Sequence, residues 1–222
     1  MTPDPTWSVV DGYLTDLLVP SDSALAAALA SSAANGLPAI NVAPNQGKLL
    51  QILARSIGAK RILEIGTLGG YSTIFLARAL APGGRLITLE YEPKHADVAH
   101  ANIERAGLAH VVDIRLGRAI DTLPRIAAEA GAPFDFVFID ADKPGNADYF
   151  AWALKLARVG TMIVVDNVVR QGAVTDAAGD ANVQGARRVL EAMAKERRVS
   201  ATAVQTVGSK GHDGFAIAVV TS

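Results

Sequence analysis

A regular alternation of strand-like and helix-like segments between Lys60 and Asp166 is the feature that most constrains the fold of this chain. Apolar runs of strand length alternate with runs that have helical spacing. The strand-like runs are Arg61–Ile65, Arg85–Glu90, Val111–Leu116, Phe134–Asp140 and Thr161–Asp166. The helix-like runs between them are Tyr71–Leu80, Pro93–Ala106, Ala119–Ala130 and Ala147–Leu156. Because parallel strands are joined by helical crossovers, this order predicts an α/β fold with a doubly wound, mostly parallel sheet.

The segments on either side of this region follow a different pattern. Three apolar helices are predicted ahead of the first strand, and we expect this extension (residues 1–58) to cover a substrate cleft or a partner subunit. They are Trp7–Val19, Ser23–Ala34 and Asn45–Ile57. After the last parallel strand, the sequence predicts a helix and then an antiparallel hairpin around a glycine-containing turn. These segments are Val183–Arg197, Ala201–Val207, Gly208–Gly214 (the turn) and Phe215–Val220. We expect one domain, with residues 59–222 as its core.

Composition excludes several classes of function. The formal net charge is −1, from 21 basic and 22 acidic residues, so no basic surface for nucleic acid is indicated. There is no cysteine, which excludes disulfides, thiolate metal sites and a cysteine nucleophile. The apolar stretches are interrupted before they reach membrane-spanning length, and the N-terminus lacks the pattern of a signal peptide. We therefore expect a cytoplasmic protein with no membrane or nucleic-acid partner.

A glycine-rich turn follows the first strand-like run. Gly66, Gly69 and Gly70 give the spacing G-x-x-G-G, whereas pyrophosphate binding to a dinucleotide needs G-x-G-x-x-G. Glu64 precedes the turn, and Glu90 ends the next strand-like run, where an acid suits the hydroxyls of a ribose. A pair of acids favours an adenosine that carries positive charge, such as S-adenosylmethionine. The alternative is an ordinary turn beside a locally paired carboxylate.

Polar residues also follow the fourth and fifth strand-like runs. Asp140 ends one run, and Asp166 with Asn167 ends the other. If the two strands are neighbours, these oxygen donors meet at one edge of the sheet, where ligands bind in such folds. Oxygen ligands favour Mg²⁺, Ca²⁺ or Mn²⁺ over zinc. The alternative is that both aspartates cap the turns that follow them.

Taken together, these motifs resemble the cation-dependent class I S-adenosylmethionine O-methyltransferases of the catechol and caffeoyl-CoA type. The resemblance runs from about Ile40 to Val220 and is strongest where DADK follows one strand and DN the next. Further matching segments are NVAPNQGKLL, LEIGTLGGYST, ITLEYEP and GTMIVVDNVVRQGAV. The resemblance implies a seven-stranded Rossmann-like sheet, a homodimer, and S-adenosylmethionine with a divalent cation, most simply Mg²⁺, as cofactors.

The resemblance also implies roles for individual residues. It assigns Asp140, Asp166 and Asn167 to the metal and Lys143 to the general base, with Asp140 also in the catalytic centre. The implied cofactor-binding residues are Val42, Glu64, Gly66, Ser72, Glu90, Ala119 and Asp140.

A cation chelated by a vicinal diol on an aromatic ring would orient the ring and acidify its phenol, and Lys143 could then accept the proton. The loop Arg170–Gly179 has no array of basic residues for a CoA phosphate, which favours a small free catechol. Two other functions stay open. A nicotinamide-dependent oxidoreductase is disfavoured by the glycine spacing, and a non-catalytic ligand-binding relative would keep the fold without activity. We expect Tyr149 and Trp152 to be packing residues and His212 to lie in an exposed turn.

Overall fold

A computed structural model of the chain describes residues 4–129, 131 and 133–222, and the seven strands found in these residues form one sheet. The strands are β1 (Arg61–Ile65), β2 (Arg85–Glu90), β3 (Val112–Leu116), β4 (Phe134–Ile139), β5 (Ala157–Asp166), β6 (Val199–Gly208) and β7 (Gly211–Val220). The helices are α1 (Pro5–Leu18), α2 (Ser23–Ala34), α3 (Pro44–Ser56), α4 (Tyr71–Ala77), α5 (Pro93–Arg105), α6 (Ala119–Ala128), α7 (Asn146–Lys155) and α8 (Ala181–Lys195). Two short 3₁₀ segments, Lys143–Gly145 and Arg170–Thr175, follow β4 and β5.

The strand order is β3-β2-β1-β4-β5-β7-β6. The first five strands pair in parallel, and β7 pairs antiparallel with both β5 and β6. The predicted mostly parallel, seven-stranded Rossmann-like sheet with a terminal antiparallel hairpin and an N-terminal helical extension is confirmed. From β1 the chain first builds outward to β2 and β3, then returns to place β4 on the other side. A crevice for ligands therefore lies between β1 and β4, where the winding changes direction.

The central strands are buried on both faces because helices cover both sides of the sheet. Along β1 and β4, successive side chains enter opposite hydrophobic clusters. Leu63 and Val137 belong to one cluster, whereas Ile62 and Phe136 belong to the other. A strand that is buried on both faces needs apolar residues at nearly every position. Strand β4 (FDFVFI) has this pattern and is buried at all six positions. Each of these strands nevertheless carries one buried acid, Glu64 in β1 and Asp135 in β4, one residue in from a strand end.

Several boundaries differ from the sequence prediction. The hairpin turn is confined to Ser209–Lys210, so the predicted turn Gly208–Gly214 was too long, and His212 lies in β7 instead of in a turn. Glycines suggested a turn, but Gly214 lies in the strand, where an added Cβ would come within 2.3 Å of the carbonyl oxygen of Val204. Helix α6 ends at Ala128, and Ala130, the predicted last residue of that helix, lies outside the described residues. None of the described helices has the length and apolarity needed to cross a bilayer.

Candidate functional site

A cavity of about 670 Å³ opens at the carboxyl ends of β1, β2 and β4. Its walls come from the loops that follow β1 to β5 and from the connection between α2 and α3. The predicted site residues that line it are Val42, Gly66, Ser72, Glu90, Ala119, Asp140, Lys143 and Asn167. The volume falls in the range of small-molecule and cofactor pockets.

The turn after β1 depends on a glycine at position 66. Gly66 has φ = +102°, a backbone conformation that residues with a side chain rarely adopt. An added Cβ would lie 2.2 Å from the carbonyl oxygen of Asp140, so the turn also touches the end of β4 directly. Gly66 therefore allows the turn after β1 and Asp140 to share one edge of the cavity.

Glu90 holds the glycine turn in place. One oxygen of its carboxylate accepts hydrogen bonds from the backbone N–H of Thr67 (3.2 Å) and Leu68 (2.7 Å). The other oxygen accepts from the N–H of Tyr91 (2.9 Å) and Glu92 (3.0 Å). Leu68 has a positive φ of 51°, and the bond to Glu90 stabilises that conformation. Glu90 thus shapes the turn as well as lining the cavity.

Glu64 is fully buried in β1 and is not among the lining residues; Ser72 stands between it and the cavity. Its carboxyl group accepts hydrogen bonds from the hydroxyls of Ser72 (2.6 Å), Thr73 (2.5 Å) and Thr88 (2.7 Å). Burial raises the pKa of Glu64 from an ordinary 4.5 to about 7, against the opposing effect of the three hydroxyl donors. A direct contact between Glu64 and the cofactor stays a prediction.

The strands that lead to Asp140 and Asp166 are neighbours, which meets the condition set in the sequence argument. Strands β4 and β5 are paired as far as Ile139 and Val165, so Asp140 and Asp166 come next on adjacent strands. Asp166 is 5% exposed, and its carboxylate accepts hydrogen bonds from the side-chain amide of Gln46 (2.7 Å) and from the N–H of Asn167 (2.8 Å). Burial, and then the nearby charge of Asp140, raise the pKa of Asp166 to about 7.

Asp140, Asp166 and Asn167, called here the metal corner, carry oxygen atoms of the kind that a hard cation binds. Lys143 donates to one oxygen of Asp140 at 2.8 Å, but within the described part of the chain the other oxygen of Asp140 and the side-chain amide of Asn167 make no hydrogen bond. Two carboxylates that repel each other and a free amide oxygen fit Mg²⁺ or a similar divalent ion. No group of three or more His, Cys, Asp or Glu side chains arranged for a metal occurs in the described residues, so a cation here would need Asn167 as a further oxygen ligand.

Sequence reasoning missed some of the residues at the cavity. Tyr149 packs in the hydrophobic core as expected, but it also lines the cavity and donates its hydroxyl to Asp142 (2.5 Å). Arg170 also lines the cavity and has a positive φ of 55°. Its backbone is held by Asp213, whose Oδ1 accepts from the N–H of Val169 (3.1 Å), Arg170 (2.9 Å) and Gly214 (3.0 Å). Arg170 directly follows DNVV, so the sequence could have indicated it as a residue of the cavity wall. Asp213, which holds its backbone, is 43 residues away and has no such local signal.

Comparison with known proteins identifies close relatives of the chain. A family model described as O-methyltransferase matches residues 20–217. The catechol O-methyltransferase of Niastella koreensis is 57% identical over 212 residues, which cover 95% of this chain and 96% of that protein. The crystal structure of an O-methyltransferase from Bacillus cereus in complex with SAH has a TM-score of 0.96 and 58% identity, covering 97% of this chain and 99% of that one. The O-methyltransferase TomG from Streptomyces achromogenes in complex with SAM has a TM-score of 0.96 and 52% identity over all of both chains.

Proposed function

The chain belongs to the O-methyltransferase family and is an S-adenosylmethionine-dependent O-methyltransferase, and we propose that it uses a divalent cation to methylate one hydroxyl of a catechol-like acceptor. The observation that carries this proposal is the pairing of β4 with β5, which brings Asp140 and Asn167, at the edge of the cavity, beside the buried Asp166. The family membership disfavours a nicotinamide-dependent oxidoreductase, and the free donors at this corner argue against a non-catalytic relative.

The cofactor would lie against the turn after β1. Gly66 offers bare main chain at this point, and Ser72 lines the cavity at the start of α4. Glu90, at the end of β2, lines the cavity, and its carboxylate would accept from the ribose hydroxyls through oxygens that it shares with four backbone hydrogen bonds. Val42 and Ala119 supply further walls. S-adenosylmethionine supplies a methyl group on a positively charged sulfur, which is an electrophile for an oxygen nucleophile.

The cation would be held by Asp140, Asp166 and Asn167. Bound there, Mg²⁺ would lower the pKa of a coordinated phenol and fix the orientation of a vicinal diol. Asp166 is nearly inaccessible, and Gln46 of α3 fixes its Oδ2. Asn167 has φ = +58°, a conformation that asparagine tolerates better than most residues. The two residues therefore present preorganised oxygens to the ion.

We propose that Lys143, once its amine is neutral, accepts the phenolic proton. Its side chain is nearly buried, lines the cavity and donates to Asp140 at 2.8 Å, so its amino group lies directly beside the proposed metal corner. Alignment of the acceptor oxygen with the methyl group then accounts for much of the catalysis, because no covalent intermediate with the chain is needed. Lys143 and Asp140 are accordingly the proposed catalytic residues.

We propose that the methyl acceptor is a small phenol with an acidic substituent, because Arg170 lines the cavity. The guanidinium of Arg170 lies 3.9 Å from the carboxylate of Asp213, too far for a tight ion pair. Oδ1 of Asp213 is already occupied by three backbone N–H groups. Arg170 is therefore available for a carboxylate on the acceptor. The name of the Niastella koreensis relative supports a catechol as the phenol.

A metal-dependence experiment tests the proposal. Metal-stripped wild-type protein should not methylate a catechol, and added Mg²⁺ should restore activity. The Asp166→Ala variant should stay inactive at every Mg²⁺ concentration but should still bind S-adenosylhomocysteine in calorimetry. Asp148→Ala, which removes an exposed acid from α7, is the matched control and should behave like the wild type. Activity in EDTA, or in the Asp166→Ala variant, would exclude the cation mechanism.

We also propose that the protein forms a homodimer and works in the cytoplasm. Helix α1 buries no residue against its own chain and exposes apolar side chains along its length, including Val9 (70% exposed), Tyr13 (66%), Leu17 (62%) and Leu18 (64%). A contiguous apolar surface of this kind is typical of a protein interface. Light scattering coupled to gel filtration tests this, since Leu17→Glu should convert a dimer into a monomer. A wild-type monomer would contradict the proposal.

A further inference from the structure

Helix α8 touches the turn that carries Lys143 at a position where only glycine fits. The 3₁₀ turn Lys143–Gly145, called here the Lys143 turn, packs against Gly185 in the first half of α8. A Cβ on Gly185 would lie 2.0 Å from the carbonyl oxygen of Lys143 and 2.8 Å from the nitrogen of Pro144. Both are backbone atoms, so no side-chain rotation can relieve the overlap.

The Lys143 turn is fixed on its other sides as well. Arg188, one turn after Gly185 on α8, donates to the carbonyl oxygen of Pro144 at 3.1 Å. Asp142 caps the turn by accepting from the N–H of Gly145 at 3.1 Å. Arg188 and Asp142 therefore set the position of the turn together with Gly185.

We propose that Gly185 is a positioning residue for Lys143: by allowing α8 to approach to backbone contact, it sets where the amino group of Lys143 stands relative to Asp140. This inference rests on the proposed role of Lys143 as the proton acceptor. Gly185 itself does not line the cavity. It acts through the main chain of Lys143, whose long side chain reaches Asp140 at 2.8 Å.

The size of the expected effect follows from the overlap. Ordinary contact for a Cβ begins near 3.4 Å, so an alanine at position 185 would push the carbonyl of Lys143 away by more than an ångström. A displacement of about 1 Å at a catalytic group can cost about 100-fold in rate. Gly185→Ala should therefore lower kcat by about 100-fold and leave the affinity for S-adenosylhomocysteine nearly unchanged, since the atoms nearest to an added Cβ belong to the Lys143 turn and not to the turn after β1.

A double-mutant cycle distinguishes positioning from general damage. In a Lys143→Met background there is no amino group left to misplace, so adding Gly185→Ala should change kcat by less than about twofold. Glu191→Ala is the control, because Glu191 is an exposed residue of the same helix as Gly185. This variant should retain wild-type kcat.

If Gly185→Ala does not fold, Arg188→Ala provides a milder test. It removes one hydrogen bond to the Lys143 turn without a steric conflict and should lower kcat several-fold in the wild-type background and not in Lys143→Met. An equal loss in both backgrounds, for either variant, would overturn the inference. So would a higher KM for the acceptor with unchanged kcat, because that result would mean that α8 moves and the Lys143 turn does not. If Lys143→Met alone keeps wild-type kcat, the proposed proton acceptor is wrong, and the inference about Gly185 is overturned with it.

Discussion

Replacing Glu64 by glutamine should change how the stability of the fold depends on pH. Glu64 is fully buried, and its pKa is raised from an ordinary 4.5 to about 7. Between these two pH values the folded chain holds a proton on Glu64 that the unfolded chain has lost, so the free energy of unfolding must fall as the pH rises. At 1.36 kcal/mol for each pH unit, the total loss above pH 7 is about 3 kcal/mol. Glutamine has the shape of the protonated acid and does not titrate.

The measurement is the free energy of urea unfolding for the wild type and Glu64→Gln at several pH values from 4 to 8, in EDTA and without cofactor. We expect the wild type to lose about 3 kcal/mol relative to the variant across this range, with most of the change between pH 4.5 and 7. Only the change of this difference with pH is diagnostic, because glutamine also changes the hydrogen bonds to Ser72, Thr73 and Thr88 and so shifts the stability at every pH. A difference between the two proteins that does not vary with pH would refute the reasoning.

Two further predictions concern the loop after β5. Asp213→Ala removes the acceptor of three backbone N–H groups and should lower the free energy of unfolding by roughly 1–3 kcal/mol in urea titrations, whereas Asp213→Asn keeps one oxygen and should recover part of the loss. Equal stability of the two variants would contradict this account. Arg170→Gln should lower kcat/KM for a carboxylated catechol about 10-fold to 100-fold, as expected for a lost charge-assisted hydrogen bond, while a neutral catechol loses less than about threefold. The same loss for both acceptors would rule out recognition of the acid by Arg170.

Much of the core could be predicted from the sequence because local and tertiary preferences agree there. Both β1 and β2 begin and end as predicted, since each is a short apolar run between polar or glycine residues. The adjacency of β4 and β5 was only a condition in the sequence argument. The structure satisfies it through five paired positions, and this brings Asp140 to Asp166.

The remaining features depend on distant contacts that have no local signal. Gly214 looked like part of a turn, yet it allows β7 to lie close to Val204 in β6. Gln46, on α3, reaches Asp166 across 120 residues of sequence. Gly185 lies inside a predicted helix with no signal of its own, and only the fold places it against the carbonyl of Lys143. Periodicity reports which face of an element is buried, but not which backbone atoms lie on the other side.

The hydrogen-bond partners of the acids at the edge of the sheet separate their roles in a way that residue type cannot. Glu90 accepts from four backbone N–H groups and Glu64 from three hydroxyls, so much of their hydrogen-bonding capacity is already spent on the fold. Asp140 differs, since Lys143 alone donates to its carboxylate among the described residues. An acid with unfilled lone pairs beside a second buried carboxylate has a strong electrostatic reason to bind a cation. The sequence shows acids at all these positions, but only their hydrogen-bond partners in the fold favour Asp140, with Asp166 beside it, as the proposed metal ligands.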